Sequence, residues 1–282
     1  RLNHELGFWV IAAAFVVGMA FSTLPTPLWV LYRQVDGFST FWVTIAFAAY
    51  AVGVILSLVL AGHVSDWVGR VRILLPALLL EAVAAVLFLV WSSLPGLIVA
   101  RVLTGLGVGM ITATATAHLA ELHATARPQS SAVRPGVVAV AANLGGLGLG
   151  SLAAGLLAQL APRPLVVPDA VFLVLLLVAA LAVSAVPETV VPDGRPYRAQ
   201  RITVPPADRA RYLGAATAAF GLFAIMGLFT SLAPSFLRSL GQTSPLVGGL
   251  AAFLVFAAAA GAQILLRSLE TARQLAVGLA VT

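Results

Sequence analysis

Long apolar runs divided by short polar breaks dominate this chain. Runs at about 8–31, 41–61, 73–92, 97–117, 136–158, 167–186, 212–237 and 246–266 carry few charges. A helix of roughly 20 apolar residues crosses a hydrocarbon core about 30 Å thick. The pattern therefore predicts eight transmembrane helices in an all-α integral membrane protein. A ninth run opens near Leu275 and stops at Thr282, and position 1 is not methionine. On that basis the sequence reads as part of a longer chain. The first run follows an arginine, as a signal peptide does, but it is too long and seven more runs follow it.

The breaks carry the orientation signal. With the N-terminus inside, twelve arginines fall on inner segments, and only Arg33, Arg163 and Arg238 fall on outer ones. Basic residues accumulate on the cytoplasmic side, so a plasma-membrane protein with a cytoplasmic N-terminus is expected. One inner break differs from the others. Residues 187–211 hold five arginines and five prolines, and proline disfavours a regular helix interior. The expected division is a six-helix bundle over 1–186, a cytoplasmic linker over 187–211, and the start of a second bundle over 212–282. Phe21-Ser-Thr-Leu-Pro-Thr-Pro-Leu28 resembles Phe229-Thr-Ser-Leu-Ala-Pro-Ser-Phe236, one bundle apart, as an internal duplication predicts.

Composition narrows the chemistry. Of 282 residues, 61% are apolar and 9% charged, with a mean hydropathy of +1.04. Soluble domains average roughly 45–50% apolar and about 25% charged. All 16 basic residues are arginine, and there is no cysteine. Without lysine there is no Gly-Lys-Ser/Thr phosphate loop and no Schiff base. Without cysteine there is no disulfide, thiol nucleophile or iron–sulfur cluster. The net charge of +6 forms no basic face, so nucleic acid is not an expected partner. No cofactor is expected.

Three motifs carry candidate chemistry. The turn between the second and third spans reads Gly62-His-Val-Ser-Asp66-Trp-Val-Gly69-Arg70-Val-Arg72. Gly62 suits a close helix approach, Gly69 a sharp turn, and Asp66 and Arg70 are spaced to pair across one helical turn. Such a loop can latch the inner face; it can also be simply a topogenic basic loop. The fourth span opens Arg101-Val-Leu-Thr-Gly105-Leu-Gly107-Val-Gly109. A guanidinium inside a bilayer needs a partner or a task, unless it reaches outward to the nearby surface. Gly105 and Gly109 form a small-xxx-small packing face. The fifth span contains Asn143-Leu-Gly-Gly146-Leu-Gly-Leu-Gly150-Ser151-Leu-Ala-Ala-Gly155. Glycines at that density let helices slide or bend against one another.

These motifs, in this order, resemble the major facilitator superfamily of secondary transporters. The turn is similar to the family's helix 2–3 loop at Gly62, Asp66, Gly69, Arg70 and Arg72, departing from it at Trp67 and Val71. Arg101–Gly109 resembles the helix 4 motif, with Thr104 in a slot often held by glutamine. Glu121 and Arg127 match an acidic and a basic position after helix 4, and Pro187-Glu188-Thr189 resembles the end of helix 6. The glycines of the fifth span resemble the family's antiporter motif, except that Ser151 replaces a proline. The resemblance implies two six-helix bundles rocking about a central site, and a drug:proton antiporter-like branch.

A proton-driven carrier needs an ionisable group at membrane depth. Glu81, about nine residues into the third span, is the candidate, with Arg101 the partner to look for. Asp36 and Asp169 lie at outer helix ends and are expected to be solvated. His118, Glu121 and His123 do not match a zinc spacing, so no metal site is expected. Thr23, Tyr50, Asn143, Phe223 and Thr230 are candidates for a substrate path that is more aromatic than polar. The reading is a secondary transporter, not an enzyme, moving a small hydrophobic or amphipathic molecule, with proton-coupled efflux favoured. Proton-coupled uptake of a small metabolite is the alternative; a non-transporting receptor or scaffold is the alternative outside the class. The expected partners are a small-molecule substrate, protons and the lipid bilayer, with the protein a monomer.

Overall fold

The computed structural model describes residues 2–193 and 204–266. The sequence features at 194–203 and beyond Leu266, including the ninth apolar run, lie outside the described residues. Among the described residues, eight helical segments are long and apolar enough to cross a bilayer.

The first segment is two helices, α1 (His4–Thr23) and α2 (Pro25–Asp36), jointed at Leu24. Asn3 starts α1 by accepting from the Leu6 N–H at 2.7 Å, the usual N-cap contact. The joint has a local cause. Pro25 and Pro27 supply no N–H to the preceding turn, and the Phe21 carbonyl takes the Leu24 N–H instead, at 3.2 Å. Gly37, at φ +73°, closes α2 in the left-handed conformation.

The remaining spans are α3 (Thr40–Ala61), α5 (Arg70–Val90), α6 (Leu94–Ala126), α7 (Val133–Leu160) and α8 (Val167–Ser184), then α9 (Arg209–Ser239) and α10 (Pro245–Leu265). A one-turn helix, α4 (Ser65–Val68), lies within the Gly62–Arg72 turn. The end of the molecule holding that turn is termed the basic end. Span edges differ from the sequence expectation: α6 runs to Ala126, and α9 begins at Arg209 rather than 212.

Helix α1 is the centre of the first bundle, packed on α6, α7 and α8, while α3 and α5 both pack on α6. Glycines set these distances. A Cβ on Gly105 would fall on the Tyr50 carbonyl, and one on Gly53 would fall on the Val102 carbonyl, so α3 and α6 meet backbone to backbone. Gly109 faces Ser57 and Val54 of α3. Gly146 and Gly150 seat α7 on α1, against Val16, Met19 and Ala20. Gly62 behaves otherwise than its motif position suggests: the atoms nearest to a Cβ there belong to Leu58 of its own helix.

Helices α9 and α10 join the first bundle through α10 on α7 and α2, and α9 on α2 and α3. The α7–α10 seam starts at Gly155, against Pro245 and Leu246. It continues where Gly249 meets the Ser151 carbonyl, and reaches Gly148, against Phe253 and Phe256. One turn nearer the basic end, Gly145 has nothing within 4 Å.

Candidate functional site

Two groups of polar residues stand out from this apolar frame. At the basic end, Gly69 adopts φ +123°, a conformation that side chains rarely take. The chain turns there so that Arg70 points inward. The Arg70 guanidinium donates from Nη1 to Ser65 Oγ at 2.7 Å and to Asp66 Oδ1 at 2.5 Å. From Nη2 it donates to Glu121 Oε1 at 2.7 Å, and its Nε reaches both Glu121 oxygens at 3.2 Å. A planar guanidinium clamping a carboxylate this way is a directional contact that lysine does not reproduce.

Glu188 was singled out only by family likeness, and its physical task was not legible from the sequence. Its Oε1 accepts the Arg70 N–H at 2.7 Å and its Oε2 accepts the Val71 N–H at 3.0 Å. Helix α5 has no side-chain cap from its own Gly69. A carboxylate 118 residues away satisfies its first N–H groups instead. Thr189 adds a 2.5 Å hydrogen bond to Glu121, and His118 Nε2 lies 3.2 Å from the Pro187 carbonyl oxygen. The Asp193 N–H reaches the Trp67 carbonyl at 3.4 Å. The cluster thus fastens four pieces together: the turn, α5, the end of α6, and the chain leaving α8. Arg72 is exposed beside it. Arg127 forms an ion pair with Glu5, joining α6 to α1 at the same end. His123 contacts Ser130 at 2.8 Å, so His118, Glu121 and His123 are engaged separately.

The second group is inside the bundle. Glu81 is fully buried, and neither carboxyl oxygen has a hydrogen-bond partner. The two glycines facing it are Gly18 of α1 and Gly107 of α6. Arg101 is also sealed in, at 2% exposure, so it does not reach outward to the surface. Its Nη1 donates to the Ser22 carbonyl at 2.7 Å, beside the α1–α2 joint, and its guanidinium lies 4.2 Å from the Tyr50 ring and 5.3 Å from that of Phe47. A guanidinium over aromatic faces is held by their quadrupoles. Arg101 and Glu81 form no ion pair in the structure; each is buried on its own.

One expectation is corrected. Asp169 is not solvated: it is 0% exposed, packed where the Tyr32 hydroxyl reaches its Oδ2 at 3.4 Å. Of the substrate-path candidates, Thr23 uses its hydroxyl on the Leu147 carbonyl at 2.6 Å, and Thr230 on the Met226 carbonyl at 2.8 Å. Tyr50 stacks on Arg101, Asn143 is half-buried, and Phe223 is 64% exposed. Ser151 has a structural use in place of proline. Its hydroxyl reaches the Thr23 carbonyl at 3.4 Å, an oxygen whose helical partner would have been the N–H that Pro27 lacks.

Fold and site together define a multi-pass membrane protein with ionisable groups sealed inside its helix bundle and a hydrogen-bonded clasp at one end. A family model described as Major Facilitator Superfamily matches residues 10–282. The chain belongs to that superfamily and is a membrane transporter. Comparison with curated protein sequences gave no match. Among solved structures, the human organic anion transporter MFSD10 (TETRAN) is similar at 18% identity and a TM-score of 0.65, over 93% of this chain and 72% of that one. The nucleoside transporter NupG is similar at 12% identity and a TM-score of 0.68, over 93% of this chain and 66% of that one. These likenesses concern the fold.

Proposed function

We infer that this protein exports a small hydrophobic or amphipathic molecule across the plasma membrane by alternating access, in exchange for protons, with its N-terminus in the cytoplasm. The observation that carries the coupling is Glu81. A carboxyl with both oxygens unpartnered in an apolar interior is costly when charged. It therefore changes its proton occupancy when its surroundings are hydrated or sealed, and rocking of the bundles alternates those conditions. Arg101, held by a carbonyl and two rings, is not neutralising it. The clasp around Arg70 fits a device that closes and releases the basic end. The apolar substrate class is supported by the hydroxyls of Thr23 and Thr230, which are bound to carbonyls while aromatic surface remains open along α9.

The test is transport by the full-length protein in proteoliposomes under an imposed pH gradient, with a panel of lipophilic cations and antibiotics. Gradient-driven movement of a panel member is expected in wild type. Glu81→Gln is expected to lose that movement while retaining downhill exchange. Full gradient-driven transport by Glu81→Gln would remove Glu81 from the coupling scheme. Movement of substrate together with protons would favour uptake instead.

A further inference from the structure

A third polar feature, outside both groups described above, lies where α6 turns into α7 at the basic end. His123, Ser130, Val133, Arg134 and Val137 line an open groove there of about 410 Å³. The turn is braced from within. His123 is buried and its Nε2 meets Ser130 Oγ at 2.8 Å, while Ser130 Oγ donates to the Arg127 carbonyl at 2.8 Å. Helix α7 starts at this groove with no side-chain cap from Ala132, so its first N–H groups add positive potential.

The two arginines of the groove are placed differently. Arg127 is answered by Glu5. Arg134 is not: among the described residues no carboxylate lies within ion-pair distance of it, and no acceptor takes its N–H groups. It lies instead 5.8 Å from the Phe8 ring centroid and 5.6 Å from that of Trp9. Aromatic faces hold a guanidinium by its charge and leave its N–H fork unspent, and that fork matches phosphate oxygens. What borders the groove selects the kind of phosphate. Trp9 is 48% exposed and Val133 52% exposed, on two helices that are membrane spans. A tryptophan at such a border marks headgroup depth, and apolar surface beside it suits an acyl chain, from which a soluble phosphate gains nothing. A zwitterionic headgroup would also need a carboxylate for its amine. The acids close by are spoken for: Glu5 pairs with Arg127, and Glu121 with Arg70.

We propose that this groove is a binding site for an anionic phospholipid, with the phosphodiester on Arg134 and the start of α7, and an acyl chain along Trp9 and Val133. The site depends on neither the coupling ion, the substrate nor the direction of transport. Native mass spectrometry tests it on the full-length protein, released from detergent holding equal amounts of phosphatidylglycerol, phosphatidylcholine and phosphatidylethanolamine. Preferential retention of one phosphatidylglycerol is expected, and equal retention of the three classes overturns the proposal even if a variant fails to fold. Arg134→Gln is expected to weaken that retention about fivefold, the worth of one arginine against an anionic headgroup. Arg211→Gln removes an exposed arginine of α9, a helix that does not line the groove, and is expected to leave retention unchanged. An equal loss in both variants would mean diffuse attraction to net charge and would sink the site. Displacement of the lipid by an equal concentration of soluble glycerol phosphate would reassign the groove to a soluble anion and likewise overturn the proposal. None of these readouts uses transport, so failure here is distinguishable from failure of the export reading.

Discussion

Glu188 illustrates what single residues do in this protein. A carboxylate satisfying the first N–H groups of a helix stabilises it both as a cap and against the helix dipole. Here the cap comes from 118 residues along the chain, so it also ties the chain leaving α8 to the Gly62–Arg72 turn. Glu188→Ala is expected to lower stability by about 1 kcal/mol, the usual worth of a cap, with Glu188→Gln losing less. Thermal unfolding in detergent measures both, and wild-type melting in Glu188→Ala would show that the cap is dispensable. The Asp66–Arg70 pairing was legible from four-residue spacing. The Glu121 arm of the same cluster was not, because the two residues are 51 positions apart and meet only when α5 packs on α6.

At the scale of elements, the glycines divide into those that set helix separation and those that do not. Gly53→Ala or Gly105→Ala drives a methyl onto a backbone carbonyl of the facing helix, and overpacking of that kind costs about 1–3 kcal/mol. Gly145→Ala meets nothing within 4 Å, and its gain in helix propensity of up to about 1 kcal/mol makes it neutral or stabilising. Melting temperatures of the three variants check the contrast; equal losses would show that the α3–α6 contact is loose. Sequence alone marked Gly105 by its spacing from Gly109 but passed over Gly53. A lone glycine in an apolar run reveals its partner only after the facing helix is in place. The first span likewise looked continuous, although its two prolines were in view, because hydropathy does not register a joint.

For the whole molecule, the α7–α10 seam is the most extensive join between the first bundle and the helices after the linker. The two helices are packed from Gly155 to Gly148, and a Cβ at Gly145 would meet nothing within 4 Å. Gly145→Cys is therefore expected to react with a membrane-impermeant maleimide added on the basic-end side, and to be protected when reagent is added only on the other. Labelling from the opposite side, measured in oriented vesicles, would mean that a different resting conformation prevails.

Membrane class, the eight spans, the superfamily and the motif positions followed from the sequence alone. Hydrophobic length and arginine placement act locally, and each run meets the bilayer on its own terms. Only the tertiary structure decided the rest: that Arg101 and Glu81 form no ion pair, that Asp169 is buried against Tyr32, that Glu188 caps a helix distant in sequence, and that Ser151 takes up the Thr23 carbonyl freed by Pro27. Burial and pairing of a polar group depend on what the neighbouring helices bring to the same depth. In a chain this uniformly apolar, hydropathy does not encode which faces meet.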